Sequence, residues 1–331
     1  MKKYKNCLII GKFMPPHKGH EYMIRFAKEF SEMVHVVVDC IEGQSISPTI
    51  RKQWLEEEIQ DIKVYALDKF MPQDPSETPD FWNIWKSTLT QTLDTNSVKA
   101  DLVVAAMDYG FELAQVMECD FIPIDIARET FPVSATMLRE NIYENWDFLI
   151  DSAKPYFIKK LCLIGPESTG KSTLGKFLAK KINTIYVPEY AKAVIDKQNG
   201  NFYSHNVQQF VEAQINTEKA LAKFTNKIMI CDSSAITTQI YANLCFEGDF
   251  SWIDNYINNH KYNHFLLFKP DVPFIDDTHR KTLEDPTSKR DDMFNLFQKK
   301  LDDLSFPYTI IDGDYENRQM KALKVVNNLL I

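Results

Sequence analysis

The sequence predicts two α/β domains in series, each a doubly wound parallel sheet covered by helices on both faces. Three observations predict this. Short apolar runs rich in Val and Ile alternate with helical periodicity along the whole chain. One such run in each half leads straight into a loop of phosphate-binding type. The length of 331 residues suits two domains of roughly 150 residues each.

In the first half the apolar runs are 7–10, 34–38, 64–67, 102–106 and 121–124. In the second they are 161–164, 184–187, 228–231, 265–268 and 308–311. Continuous rather than alternating apolar strands imply burial on both faces, and ligands then sit where the loops leave the carboxyl ends of the strands. The boundary falls in the polar stretch 151–160, interrupted by Pro155, which gives domains 1–155 and 156–331. No Gly/Ser-rich linker separates them.

Composition is that of a globular chain, 44% hydrophobic and 25% charged. A net charge of −8 argues against a general nucleic-acid or membrane-surface binder. No apolar run approaches the ~18 residues that span a bilayer. The basic segment 1–5 precedes an apolar run too short for a signal-peptide core, so a cytoplasmic location is expected. The six cysteines (7, 40, 119, 162, 231, 245) form no Cys-x-x-Cys pair and have no zinc-type spacing, which predicts reduced, mostly buried thiols.

The second-half loop reads Gly165-Pro166-Glu167-Ser168-Thr169-Gly170-Lys171-Ser172-Thr173, a full match to Gly-x-x-x-x-Gly-Lys-Ser. Its glycines let backbone N–H groups wrap a phosphate, Lys171 brings positive charge to the β and γ phosphates of ATP, and the Ser172 hydroxyl is a ligand for Mg²⁺. Glu189 follows the run 184–187 and Asp232 follows 228–231. A phosphoryl acceptor needs a carboxylate to take its proton and the metal needs one to hold it; either residue can do either job. Downstream, Asp276 and Arg280 lie in a polar, basic segment followed by Lys289-Arg290, suited to closing over ATP or equally to a solvated loop.

The first-half loop is built differently. Gly11-Lys12-Phe13-Met14-Pro15-Pro16-His17-Lys18-Gly19-His20 links a strand to a helix whose expected apolar face is Tyr22, Met23, Phe26, Ala27 and Phe30. A helix N-terminus offers free N–H groups and the positive dipole end to an anion. Gly19 allows close approach, and His17 and His20 suit stabilisation of charge on an α phosphate and a departing pyrophosphate. Ser134, Thr136 and Arg139, in Val133-Ser134-Ala135-Thr136-Met137-Leu138-Arg139, open a later helix: Ser134 serves as a cap or a phosphate ligand, and Arg139 reaches a triphosphate.

His17-Lys18-Gly19-His20 with Ser134 to Arg139 resembles the paired signature of nicotinamide-nucleotide adenylyltransferases. Joined in this order to a P-loop kinase, the chain resembles the bifunctional NadR family in a form without an N-terminal helix-turn-helix domain. The resemblance extends through Phe81-Trp82-Asn83-Ile84-Trp85, Pro155-Tyr156-Phe157, Glu189-Tyr190, Thr237-Thr238-Gln239 and Asp276-Asp277 with Arg280. It implies a Rossmann-like nucleotidyltransferase followed by a kinase. The kinase would phosphorylate nicotinamide riboside with ATP and Mg²⁺. The transferase would join the mononucleotide to AMP from a second ATP, giving NAD. Substrate contacts would come from Trp82, whose indole suits a cationic ring, from Tyr109, and from Glu189, Tyr190 and Asp276 in the kinase. Partners would be small molecules, with no nucleic acid; a homo-oligomer is left open. The competing readings are a chain with one catalytic domain and one nucleotide-sensing domain, and a purely regulatory nucleotide binder.

Overall fold

A computed structural model describes residues 3–94, 98–274 and 289–331. The chain divides into two compact units, Met1–Tyr156 and Phe157–Ile331. The first contains β1 (Tyr4–Gly11), α1 (Lys18–Phe30), β2 (Ser31–Val38), α2 (Pro48–Glu58), β3 (Ile62–Ala66), α3 (Phe81–Asp94), β4 (Leu102–Ala105), α4 (Tyr109–Met117), β5 (Asp120–Pro123) and α5 (Ala135–Glu140). A one-turn helix, α6 (Lys154–Phe157), spans the division. The second contains β6 (Lys159–Ile164), α7 (Lys171–Lys181), β7 (Tyr186–Val187), α8 (Tyr190–Lys197), α9 (Asn206–Leu221), β8 (Ile228–Asp232), α10 (Ala235–Cys245), α11 (Ile253–Asn259), β9 (His264–Phe268), α12 (Arg290–Asp303), β10 (Tyr308–Ile311) and α13 (Tyr315–Leu329). Every expected apolar run overlaps one of these strands, the run 184–187 only at Tyr186–Val187.

Both sheets are wholly parallel. Their orders are β3-β2-β1-β4-β5 and β10-β9-β6-β8-β7. In the first unit the chain winds outward from β1 to β3, then returns to start β4 on the other side of β1. That reversal opens a crevice at the carboxyl ends of β1 and β4. In the second unit β6 lies between β8 and β9, so the loop after β6 and Asp232 at the end of β8 come side by side.

The strands are continuous apolar runs because both faces are covered. In β6, Cys162 and Ile164 enter the core shared with α9, α10 and α12, while Leu161 and Leu163 enter the core shared with α7 and α13. Helix starts follow capping chemistry: Ser47, Ser134 and Asp314 accept the backbone N–H of Ile50, Met137 and Asn317. Cys7, Cys162 and Cys231 are buried, and all six cysteines are free.

The apolar face of α1 differs from the expected one. Met23, Ile24 and Ala27 are the buried residues, while Tyr22, Phe26 and Phe30 lie half-buried along the flank as a ladder with centroids 6.5 Å and 4.9 Å apart. The aromatic ladder masked Ile24 in the sequence, because rings at i and i+4 mark an apolar stripe as strongly as the true core residues do.

Gly110 in the first turn of α4 shows how tightly the crevice wall is packed. A Cβ there would lie 2.4 Å from the Phe121 ring and 2.7 Å from Ala105 Cβ. Gly110→Ala is therefore expected to destabilise the first unit by about 1–3 kcal/mol, read as a lower midpoint in urea unfolding. An unchanged midpoint would show that α4 can shift freely.

Candidate active sites

The loop after β1, the start of α1, α3 and α5 converge on a cavity of about 570 Å³ in the first unit. Gly11, Lys12, Phe13, His17, Gly19, His20, Trp82, Tyr109, Ser134, Thr136 and Arg139, all singled out in the sequence, line it. His17 is the N-cap of α1 and is buried. Its ring stacks on His20 with centroids 3.7 Å apart, and Phe13 meets His20 edge-on at 4.8 Å. A Cβ on Gly19 would press on the His17 ring at 3.1 Å, so a larger residue here would have to displace that ring by a few tenths of an ångström.

The hydrogen bonds fix the state of the pair. The backbone N–H of His17 donates to His20 Nδ1 at 3.2 Å. His20 therefore carries its proton on Nε2, free to donate toward an anion. Burial, the facing imidazole of His17 and the Arg128 charge hold His20 well below the usual histidine range. Burial, then Arg128, pushes His17 down to about 4. Both rings are neutral donors at neutral pH.

This has a consequence for stability. A histidine whose pKa falls from 6.5 unfolded to about 4 folded resists protonation only when folded, so its contribution is complete above pH 6.5 and is lost as pH falls toward 4. For His17 the loss is about 3 kcal/mol. The unfolding free energy of wild type minus that of His17→Gln should shrink by that order between pH 7 and pH 4, and a pH-independent difference would contradict a buried neutral His17.

Arg139 closes the other side of the cavity. Its Nη1 donates to Met14 O at 2.7 Å and its Nη2 to Thr136 Oγ1 at 3.0 Å. Ser134 Oγ caps α5 while lining the cavity, so the two roles left open for it are compatible. Trp82 is half-buried on the wall, whereas Trp85 is buried with its Nε1 on Pro72 O at 3.0 Å. Tyr109 donates its hydroxyl to Ile10 O at 2.9 Å, and burial pushes that hydroxyl up to about 12, so it stays protonated.

Sequence reasoning missed four residues here. Asp39, at the end of β2, is buried on the wall, and burial pushes its carboxyl up to about 6. Gln73 holds its Oδ2. Arg128 and Phe131 sit in the loop after β5, where the Asp125 carboxylate accepts from the backbone N–H of Glu129, Thr130 and Phe131. That turn, an Asp followed within six residues by Arg and Phe, was the available signal for them.

In the second unit the loop 165–170 wraps between β6 and α7. Gly165 has φ +136°, and a Cβ there would lie 2.8 Å from Phe268 O. Gly170 and Ser168 also have positive φ, of 84° and 54°. Lys171 Nζ reaches back to Gly165 O at 2.9 Å and Pro166 O at 2.6 Å, and Thr169 Oγ1 donates to Pro166 O at 2.9 Å. Glu167 is half-buried in the loop, and Thr173 is exposed on the first turn of α7.

Asp232 is buried and accepts from Ser172 Oγ and from the Tyr186 hydroxyl, each at 2.5 Å. Burial raises its pKa, opposed first by the Lys171 charge. Burial, then Asp232, raises that of Tyr186. Glu189, half-buried at the N-cap of α8, is close enough for its charge to raise both. Tyr186 had no signal in the sequence beyond its place in a strand. Tyr190 is turned to α9: its N–H donates to Gln214 Oε1 at 3.0 Å and its hydroxyl accepts from Gln209 Nε2 at 3.2 Å.

Two arginines hold the outer, carbonyl side of the loop. Arg290 donates to Ser168 O at 3.3 Å and Val272 O at 3.1 Å. Arg318, overlooked in the sequence, is buried on α13 and donates to Thr169 O at 2.6 Å and Lys269 O at 3.1 Å, with Asp271 as its ion-pair partner. The sequence left Arg290 either closing over ATP or in a solvated loop; its terminal nitrogens here donate to backbone carbonyls of Ser168 and Val272. Asp276 and Arg280 lie outside the described residues. Among the described residues no helix is long and apolar enough to cross a membrane, and no cluster of three His, Cys, Asp or Glu side chains is placed to hold a metal.

A family model described as an AAA domain matches residues 160–318. Across 350 aligned positions the chain is 22% identical to the trifunctional NAD biosynthesis/regulator protein NadR of Escherichia coli strain K12, covering 98% of this chain and 83% of that protein. It is 21% identical to the protein of the same name from Salmonella typhimurium strain LT2, covering 99% and 84%. A solved NadR protein in complex with NR superposes with a TM-score of 0.81 at 22% identity, covering 99% of this chain and 96% of that one. Another, in complex with NAD and AMP-PNP, gives 0.79 at 20% identity, covering 100% and 97%. The similarity bears out the family resemblance read from the motifs, and the fold agrees along both units.

Proposed function

We propose that this NadR-type chain makes NAD in two ATP-dependent steps, phosphorylation of nicotinamide riboside by the second unit and adenylyl transfer to the resulting mononucleotide by the first. The observation that carries the reading is the convergence of His17, His20, Ser134, Thr136 and Arg139 on one cavity, in a chain that also holds a complete phosphate loop.

In the second unit the loop N–H groups and Lys171 receive the β and γ phosphates. Asp232 is bonded to Ser172, an oxygen pair that fits Mg²⁺. When bound, that ion would neutralise charge on the transferring phosphoryl group. Glu189 is then the base. It takes the proton of the riboside 5′-hydroxyl as that oxygen bonds to the γ phosphorus, and ADP leaves. In the first unit a phosphate oxygen of the mononucleotide attacks the α phosphorus of ATP and pyrophosphate departs. Neutral His17 and His20 donate to the phosphate oxygens, while Arg128 and Arg139 supply positive charge.

The test is product analysis on the purified full chain with ATP and MgCl₂. Nicotinamide riboside should give mononucleotide, and mononucleotide should give NAD. NAD formed from mononucleotide without phosphorylation of riboside would leave one catalytic unit and overturn the two-step reading.

A further inference from the structure

We infer that Tyr186 is a positioning residue of the second unit: its hydroxyl holds the Asp232 carboxylate in the orientation in which the Asp232–Ser172 pair receives a divalent cation. The inference rests on the phosphoryl-transfer reading of that unit and adds to it a residue that acts through Asp232. β7 is only two residues long, and Tyr186 lies in register with Ile230 of β8. Side chains alternate along a strand, so Tyr186, Ile230 and Asp232 project from one face of the sheet. That face meets α7, because Tyr186 and Ile230 pack in the core that also holds Leu174 and Leu178. Ser172, in the first turn of α7, and Tyr186 thereby reach Asp232 from two different elements. Both hydroxyls donate to the same oxygen, Oδ2, each at 2.5 Å.

The ring is seated so that its hydroxyl has one place to go. Gly175 lies in the interior of α7, where glycine is about 1 kcal/mol less favourable than alanine. A Cβ there would lie 2.8 Å from Tyr186 Cε2 and 3.1 Å from Cδ2, so the helix forgoes a side chain where the ring crosses it. Lys176 Nζ stands 5.9 Å from the ring centroid. The start of β7 is pinned as well: Thr184 Oγ1 donates to Ile228 O at 2.5 Å and accepts the Asn226 N–H at 3.1 Å. The chemistry gives this placement a use. A serine hydroxyl has one proton and two lone pairs, so Ser172 can turn a lone pair to a cation while its proton stays on Asp232. That arrangement needs a fixed carboxylate plane, and the last torsion of an aspartate is broad. The second donor, from Tyr186, removes that freedom. Loss of a group that orients a metal ligand typically weakens metal affinity or activity by about 10–100-fold. Space filling accounts for the ring of Tyr186; it does not account for a hydroxyl aimed at a buried carboxylate beside the phosphate loop.

The experiment measures Mn²⁺ binding to the full chain at saturating ADP, from the EPR signal of free Mn²⁺, in wild type, Tyr186→Phe and Ser172→Ala. The binding lost in Ser172→Ala belongs to this loop. Its dissociation constant for Mn²⁺ is expected to rise about tenfold in Tyr186→Phe, which keeps the ring and removes only the hydroxyl. Riboside phosphorylation by the same variant should fall at limiting MgCl₂ and recover toward wild type as MgCl₂ is raised, with adenylyl transfer within twofold of wild type. A merely structural role would lower the thermal midpoint and leave the Mn²⁺ constant where it was. A constant within twofold of wild type overturns the inference, whatever the midpoint does, and leaves the kinase reading intact. A wild type that binds no more Mn²⁺ than Ser172→Ala, or that does not phosphorylate riboside, overturns instead the reading of the second unit as a metal-dependent kinase. Should Tyr186→Phe fail to fold, Gly175→Ala, which displaces the ring, decides: an unchanged constant there counts against the inference.

Discussion

Lys171→Ala is expected to lower kcat/KM for riboside phosphorylation by about 10²–10³-fold, while adenylyl transfer by the same preparation stays within twofold of wild type. The reasoning is local. The Lys171 ammonium is the positive charge of the loop 165–172 whose reach covers its mouth, shown by its bonds to Gly165 O and Pro166 O. Removing it leaves the backbone cradle, so weakened nucleotide binding persists while charge building up on the γ phosphoryl group goes unmatched. Arginine should not rescue, because its forked, longer head does not fit where an ammonium folds back onto two carbonyls. The fold should hold, since the side chain is half-buried at the surface of the loop. Equal loss of both activities at unchanged thermal stability would mean that the two reactions share one site.

His20→Ala should do the reverse. Adenylyl transfer is expected to fall by at least about 10²-fold, chiefly in kcat, with riboside phosphorylation unchanged. Two things vanish together: the Nε2–H donor, and the Nδ1 acceptor that satisfies the His17 backbone N–H at the helix start. The stacking partner of the His17 ring goes as well, so His17 is freed to leave its position. His20→Asn separates the effects. Its amide oxygen can accept from the helix start, which should restore stability and only part of the rate. Full recovery of rate in His20→Asn would reduce His20 to a cap.

What could be read from the sequence follows from how each feature is encoded. The ten strands were legible because a sheet covered on both faces needs an unbroken apolar run, and β6, with Leu161, Cys162, Leu163 and Ile164 all buried, can scarcely be written otherwise. The phosphate loops were legible because their parts are contiguous. Asp39, Tyr186 and Arg318 were not. Each is a single polar residue in an unremarkable setting, placed by topology: Asp39 reaches the cavity because β2 lies beside β1, and Tyr186 reaches Asp232 because β7 pairs with β8. Ile24 was missed for a different reason, since the aromatic ladder beside it carried the stronger periodic signal.

The clamp on the phosphate loop bears on the order in which the chain can become functional during synthesis. Thr169 O finds its arginine 149 positions further along, on α13, and Ser168 O finds its own 122 positions further along, at the start of α12. The loop is therefore translated early and finished late. Until the ribosome has released α13, the carbonyls that should face Arg318 have water as their partner, and the N–H groups of the loop are not yet held in one direction. The first unit has no such debt to the distant C-terminal helices, since everything lining its cavity is complete by Arg139. A nascent or prematurely terminated chain ending between the division at Tyr156 and α13 would carry a finished adenylyl-transfer cavity joined to a phosphate loop that has sequence but not shape.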